Sequence, residues 1–269
     1  MKKFNVACFQ LCSSEDPKKN ILMLSKMFSD LSKSVELICL PECVAIFTDS
    51  KKKLQYYFND WHNDFLNFVK ENAKKHSANV LIGSVPFKKK NGKFLNRSYL
   101  VDSSGAINNY YDKINLFDVK LSQNEEYVES KNFDPGRNIK VLKLPFGKIG
   151  LSICYDLRFS SLYKKLASKG ADFFSIPAAF THTTGEAHWH SLVRSRAIEN
   201  GCFVFAAAQV GFHENGRRTF GHSLIVDPWG KIISDGFDRK GIIYGSVDKK
   251  IIRESRKKIP AMQSFLKNS

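Results

Sequence analysis

Apolar strand-like runs and amphipathic helical stretches alternate twice along this chain, as β-α-β-α-β-β in each half, and that repeat limits its fold more than any other feature. Strands interleaved with helices need those helices to cover the sheet, so a layered α/β architecture follows. In the first half, Phe4 to Gln10 is a β-rich run. Ser13-Ser14-Glu15-Asp16-Pro17 opens a helix on which Ile21, Leu24, Phe28 and Leu31 recur at helical spacing. Val35 to Leu40 is a buried strand, Trp61, Phe65, Phe68 and Val69 share a helix face, and Val80 to Val85 is the next strand. Arg97 to Asp102 and Ile107 to Tyr111 flank Ser103-Ser104-Gly105 as a hairpin. Leu121 to Asn138 is polar and irregular and reads as a long loop. In the second half, Leu157 to Ser168 is predicted helical with Gly170 as its stop. Asp172 to Ile176 is a strand, and Ala187 to Asn200 a helix. Phe203 to Ala208, Gly221 to Val226, Lys231 to Ser234 and Gly241 to Val247 are further strands. A chain of 269 residues, 43% of them hydrophobic, can fill one large α/β domain.

The stretch Gly147 to Phe159 carries the sharpest chemical signal. It reads as an apolar strand that ends at Cys154 and turns into a helix. A helix N-terminus offers free N–H groups and a field that favours a thiolate. The plain alternative is a buried cysteine packing as a small hydrophobe. Three other groups fall in similar places: Glu42 follows the strand ending at Leu40, Lys113 follows the hairpin, and Glu129 lies in the long loop. In an open α/β sheet such positions can converge on one crevice. An ordinary loop acid is the bland reading of Glu42; a carboxylate buried there would have a raised pKa and could act as a base. An acid, a lysine and a cysteine in one pocket suit acyl transfer. The sulfur attacks an amide carbon, the lysine and a backbone N–H hold the oxyanion, and the carboxylate moves the protons. The seven histidines (62, 76, 182, 188, 190, 213, 222) leave a Cys–His enzyme as the competing reading.

The six cysteines form no C-x-x-C pair, and Cys39 sits in an apolar run, so a reducing, cytoplasmic setting is expected. Met1-Lys2-Lys3 runs straight into a strand-like segment, and no run of 18 apolar residues exists. Neither a signal peptide nor a membrane partner is expected. The formal charge of +16 raises the question of nucleic acid. The lysines are scattered over turns and helix ends, however, without a nucleic-acid-reading motif, so a solvated basic surface and no nucleic-acid partner are expected.

Taken together, Leu40-Pro41-Glu42, Tyr111 to Asp118, Glu129-Ser130, Gly150 to Phe159, Thr184 to Glu199 and Gly221 to Gly230 resemble the nitrilase superfamily of carbon–nitrogen hydrolases over nearly the whole chain. The resemblance implies a single-domain α-β-β-α sandwich that pairs into four sheet-and-helix layers as a homodimer. It also implies a small-molecule amide substrate and no metal or organic cofactor. The family's Glu–Lys–Cys triad carries over to Glu42, Lys113 and Cys154, and its lysine-orienting glutamate to Glu129. Ala206 to Gly211, Arg217-Arg218 and Gly221-His222-Ser223 are most similar to the deaminated glutathione amidases, with the ω-amidases, which act on 2-oxoglutaramate, next. A non-catalytic binding protein on the same fold is the alternative of another class. By the same resemblance Arg158 would hold a substrate carboxylate, and Tyr155, Phe180 and Thr184 would line the pocket. Spacing favours Arg158 too: on a helix it returns to the face of Cys154 after one turn. Three departures stand out: Ser160-Ser161 for Pro-Glu, His190 for an acid, and Asn115 for a histidine. The loss of two acids predicts a more basic pocket. The helix Ala187 to Asn200 and the segment 248–269, with Ile251, Ile252, Ile259, Met262 and Phe265, are expected at the dimer interface.

Overall fold

The computed structural model describes residues 3–261 except residues 33 and 124. Its first half runs β1 (Phe4–Gln10), α1 (Pro17–Ser29), β2 (Leu37–Cys39), α2 (Lys51–Tyr56), a π turn at Tyr57–Trp61, α3 (His62–His76), β3 (Asn79–Lys88), β4 (Phe94–Val101) and β5 (Ile107–Asp112). A ribbon of β6 (Asp118–Lys120) and β7 (Glu126–Val128) links the halves. The second half runs β8 (Val141–Leu144), β9 (Gly147–Leu151), α4 (Ser160–Ser168), β10 (Phe173–Ser175), α5 (His182–Asn200) and β11 (Phe203–Ala206). It continues with a ribbon of β12 (Val210–Phe212) and β13 (Arg218–Phe220), then β14 (Leu224–Val226), β15 (Ile232–Asp235), β16 (Gly241–Val247) and α6 (Lys249–Lys258). None of the described helices is long and apolar enough to cross a membrane.

The repeat read from the sequence becomes two six-stranded sheets of matching construction. One has the order β16-β1-β2-β3-β4-β5 and the other β15-β14-β11-β10-β9-β8. Each has three parallel central strands, β1-β2-β3 and β9-β10-β11, with antiparallel strands on either side. The match is completed by exchange: β16, from the end of the chain, closes the first sheet along the whole length of β1, from Phe4↔Val247 to Gln10↔Gly241.

Side chains on a strand alternate faces, and the core divides accordingly. Val6 and Cys8, Leu37 and Cys39, and Leu81 point into the cluster shared with the second sheet, against Ile149, Phe173, Phe205 and Ile225. Their neighbours Ala7, Phe9, Ile38, Val80 and Ile82 point the other way, onto Leu24 and Phe28 of α1 and Phe65 and Val69 of α3. Burial on both faces is what makes these strands read as near-continuous apolar runs. On the outer side of the second sheet, Leu162, Leu166, Trp189 and Val193 supply the helical layer. The result is the α-β-β-α sandwich.

Three local expectations are corrected. The residues after Cys154 form a 3-10 turn over Cys154–Arg158, and α4 begins only at Ser160, because Phe159, with φ −100° and ψ 87°, leaves the helical region between them. The long loop Leu121 to Asn138 contains β7 and a 3-10 turn at Glu129–Lys131. Helix α5 begins at His182, five residues before the expected Ala187. Gly185 lies in this added first turn: a Cβ there would be 2.3 Å from Phe220 Cβ, so only glycine lets β13 lie against it.

Candidate active site

The carboxyl ends of β2, β5, β9 and β10 open on one crevice, where α/β folds gather ligands. Glu42 stands just past β2. Gly83 of β3 makes its placement possible: a Cβ at Gly83 would lie 2.0 Å from Leu40 O and 2.5 Å from the main chain of Pro41. The chain is then pinned by Cys43 N–H donating to Ser84 Oγ (3.0 Å) and by Gln209 Nε2 donating to Glu42 O (2.8 Å). Lys113 directly follows β5. Cys154 follows β9, its N–H donating to Pro177 O (2.8 Å) at the end of β10. Its φ of +47° is left-handed, a conformation that costs a non-glycine residue about 1–3 kcal/mol and clusters at functional sites.

These elements bring the predicted groups together. Lys113 Nζ donates to Glu42 Oε1 (2.9 Å) and Glu129 Oε2 (2.8 Å), with the lysine side chain 2% exposed. Asn96 Nδ2 donates to the same two acids, at 2.9 Å to Glu42 Oε1 and 3.0 Å to Glu129 Oε1. Backbone donors complete the set: Ala179 N–H to Glu42 Oε2 (2.8 Å) and Phe117 N–H to Glu129 Oε2 (2.7 Å). Glu42, Lys113, Glu129 and Cys154 all line a cavity of about 340 Å³, as do Tyr155, Phe180 and Thr184. That volume suits a small-molecule ligand.

The electrostatics reverse two expectations. Burial works to raise the Glu42 pKa, but Lys113 and the hydrogen bonds outweigh it, and the carboxyl lies below its ordinary value. The carboxyl is therefore held in its ionised form, not poised near neutrality. Burial, and next the Glu42 carboxylate, push the Cys154 thiol well above its ordinary value, against the pull of Lys113. The short 3-10 turn does not offset this, so the free protein holds a thiol facing a carboxylate. Burial alone would lower Lys113; Glu129 and Glu42 raise it well above its usual range, so it stands here as an ammonium. The buried site carries two carboxylates and one ammonium.

No histidine lines this cavity among the described residues. Cys12 and His213 do meet, at 3.6 Å, but away from the cavity. Burial raises that thiol and depresses His213 to about 4, so the pair rests uncharged and unreactive.

Arg158 lies outside the lining. A 3-10 turn has three residues per turn, so a spacing of four does not bring it back to the face of Cys154. Its half-exposed guanidinium lies instead beside two of the lining rings, 5.1 Å from the Phe180 centroid and 5.8 Å from that of Tyr155, with His188 Nδ1 at 3.4 Å. Among the described residues it has no acidic partner. The expected loss of two acids from the pocket is also corrected. Ser160 and Ser161 are exposed at the start of α4, and His190 pairs with Asp235 at 3.0 Å, away from the cavity. Asn115 keeps a donor where its position requires one: its Nδ2 meets Asp156 Oδ1 at 2.7 Å. Tyr111 OH and Ile153 N–H bind the other oxygen of Asp156, which ties the Lys113 strand end to the Cys154 turn.

Sequence reasoning missed Asn96, Phe47 and Tyr127 as lining residues, and named Arg217 only within the resemblance, without a place in the cavity. Asn96 carried no distinct signal, since Arg97 and Ser98 beside it in β4 are polar as well. The other three are brought in by a loop and by the two small ribbons, which only tertiary contacts define.

Residues 5–257 match the carbon–nitrogen hydrolase family model. The chain is 37% identical to a deaminated glutathione amidase of Yersinia enterocolitica over 98% of its own length and 93% of that protein's. It is 36% identical to one of Dictyostelium discoideum, over 93% of this chain and 90% of the relative. Among solved structures it superposes on the C. elegans NitFhit protein with a TM-score of 0.90 and 32% identity, covering 97% of this chain and 64% of that one. Saccharomyces cerevisiae Nit3, described as a member of branch 10 of the nitrilase superfamily, gives 0.84 and 29%, covering 96% of this chain and 95% of Nit3.

Proposed function

The chain belongs to the carbon–nitrogen hydrolase family, and we propose that this hydrolase of non-peptide amides cleaves deaminated glutathione through a thioester on Cys154. One observation carries the mechanism: Glu42, Lys113 and Cys154 share one cavity wall, with the lysine clamped between two carboxylates. Glu42 takes the thiol proton as the sulfur attacks the amide carbon. The new oxyanion is held by Lys113 Nζ and by the Tyr155 N–H, which lies too early in its turn to have an intrahelical acceptor. The C–N bond breaks, and the departing amine takes the proton from Glu42. Water then gives a proton to Glu42 and attacks the thioester carbon. The thiolate leaves and recovers its proton, and the acid product is released. Glu129 and Asn96 hold Lys113 and Glu42 in place and take no proton.

The substrate follows from the relatives' names and from the positive groups around the cavity. Arg158, stacked on two wall rings without an acid of its own, is suited to a carboxylate on the acyl half, because its planar fork pairs two oxygens. Turnover of deaminated glutathione compared with 2-oxoglutaramate tests the assignment. A higher kcat/KM for the former supports it; the reverse ranking would make the protein an ω-amidase.

The homodimer is part of the same reading. Ile198 of α5 is 48% exposed and Trp229 is 56% exposed. Gly230 lies against Ile198, and Lys258 of α6 caps the Trp229 ring at 5.9 Å, so these groups form one patch. Exposed apolar groups gathered at a helix pair mark an interaction face. Part of the C-terminal segment is already used within the chain: Ile252 is buried, and Arg256 donates to Ala171 O and Gly201 O. Ile259 remains exposed, while Met262 and Phe265 lie outside the described residues.

A further inference from the structure

We infer that Arg217 forms a second anion subsite, one that takes a carboxylate on the amine half of the amide, so that the preferred substrate is charged on both sides of the bond that breaks. The inference rests on the amidase reading above and adds a rule for the leaving group.

Arg217 lies between β12 and β13 and lines the same cavity as Cys154, beside Phe47 and Tyr127. Its guanidinium is held by rings, not by acids: it stands 4.9 Å from the Phe47 centroid and 4.7 Å from that of Tyr127. Its Nε is buried and has no hydrogen-bond partner. The nearest acid, Asp49, is 3.9 Å from one terminal nitrogen and is itself 69% exposed. Such a contact is worth little, and an unmet buried donor is costly. A weakly hydrated planar cation, stacked between two rings with donors unspent, is prepared for an oxyanion that arrives with a ligand.

Its position relative to Arg158 says which half of the ligand it meets. Tyr127, Phe117 and Tyr155 form a row with centroid steps of 5.3 and 5.1 Å. Arg217 stacks on the Tyr127 end and Arg158 on the Tyr155 end. Glu42, Lys113 and Cys154 line the cavity along which this row runs. An acyl half held toward Arg158 therefore points its amine half toward Arg217. Ammonia as a leaving group would leave Arg217 unused. An amine bearing a terminal carboxylate, such as a small peptide, would fill it. The chemistry of cleavage is unchanged: the C–N bond breaks and the amine departs with the Glu42 proton, carrying its carboxylate with it.

The test uses two amides with the same 2-oxo-acid acyl half and the same dipeptide amine half, one ending in a free carboxylate and the other in a carboxamide. The wild-type protein should favour the free carboxylate about 10- to 100-fold in kcat/KM, the range of a charge-assisted hydrogen bond. Arg217→Met should bring that ratio close to one, mostly through KM, and Arg217→Lys should restore part of it. Equal rates on the two amides in the wild-type protein would overturn the subsite and leave the amidase reading standing, whether or not the variants fold. An unchanged ratio in Arg217→Met would overturn it as well. No hydrolysis of either amide would bring down the amidase reading, and the subsite with it.

Discussion

Lys113 Nζ lies 2.9 Å from Glu42 Oε1, with the two side chains only 2% and 5% exposed. The pair is an electrostatic unit. Neither charge could stay in this place alone, because a buried ion without its partner costs about 3–5 kcal/mol.

Lys113→Met should thus do two things. It should lower stability in urea by about 3–5 kcal/mol, since Glu42 and Glu129 would face each other without a cation. It should also lower kcat about 100- to 1,000-fold, far more than it raises KM, because the ammonium meets charge that develops only in the transition state. A large KM effect with kcat preserved would make Lys113 a binding residue only.

The pH–rate profile should follow the directions of the shifts. Glu42 is depressed, so the base is ionised throughout the neutral range, and the acid limb of kcat/KM should lie below the ordinary glutamate pKa of about 4.3. Because its folded pKa is lowered, Glu42 contributes stability above its unfolded pKa, and that contribution is lost as pH falls through the depressed one. Lys113 is raised, so its contribution is complete below the ordinary lysine value and is lost as pH rises through the raised one. An acid limb close to neutrality, assigned to Glu42 by its loss in Glu42→Gln, would contradict this.

Glu42 and Cys154 were legible because each stands just past a clear apolar run, whereas Lys113 follows the mixed strand β5 and was singled out only by its context and the resemblance. The sign of the Glu42 shift was not legible. Burial could be read from the neighbouring apolar residues, but Lys113, Asn96 and the Ala179 N–H arrive from β5, β4 and the end of β10. The early start of α5 was hidden by Gly185, whose reason for being glycine is Phe220, 35 residues further along the chain. Tyr127 was hidden because a three-residue strand carries too little periodicity to announce itself, and Arg217, though part of the resemblance, reaches the cavity only through the turn between β12 and β13.

Asn96→Asp should test the clamp on the two carboxylates. A third acid within reach of Glu42 and Glu129 disfavours ionisation, so the acid limb of kcat/KM should move to higher pH. Asn96→Ala, which removes the donor without adding charge, should lower kcat with a smaller shift. A profile unmoved by Asn96→Asp would mean that the amide has no hold on Glu42.

Arg158→Met should cut turnover of an amide with a carboxylate on its acyl half by more than about tenfold, and should affect a neutral amide of equal length much less. Equal losses on both would assign Arg158 to the support of Phe180 and Tyr155.

Ile198→Glu combined with Trp229→Glu should convert a dimer to a monomer in light scattering at micromolar concentration, since two charges would then face the apolar patch. A wild-type protein that is already monomeric there would contradict the dimer.

The central claim is that Cys154 becomes acylated during turnover. Acid-quenching the enzyme in the steady state with deaminated glutathione, followed by peptide mass spectrometry, tests it most directly. The account predicts the acyl half of the substrate as a thioester on the peptide containing Cys154, and neither adduct nor amine release in a folded Cys154→Ala. Sustained amine release by Cys154→Ala would contradict it.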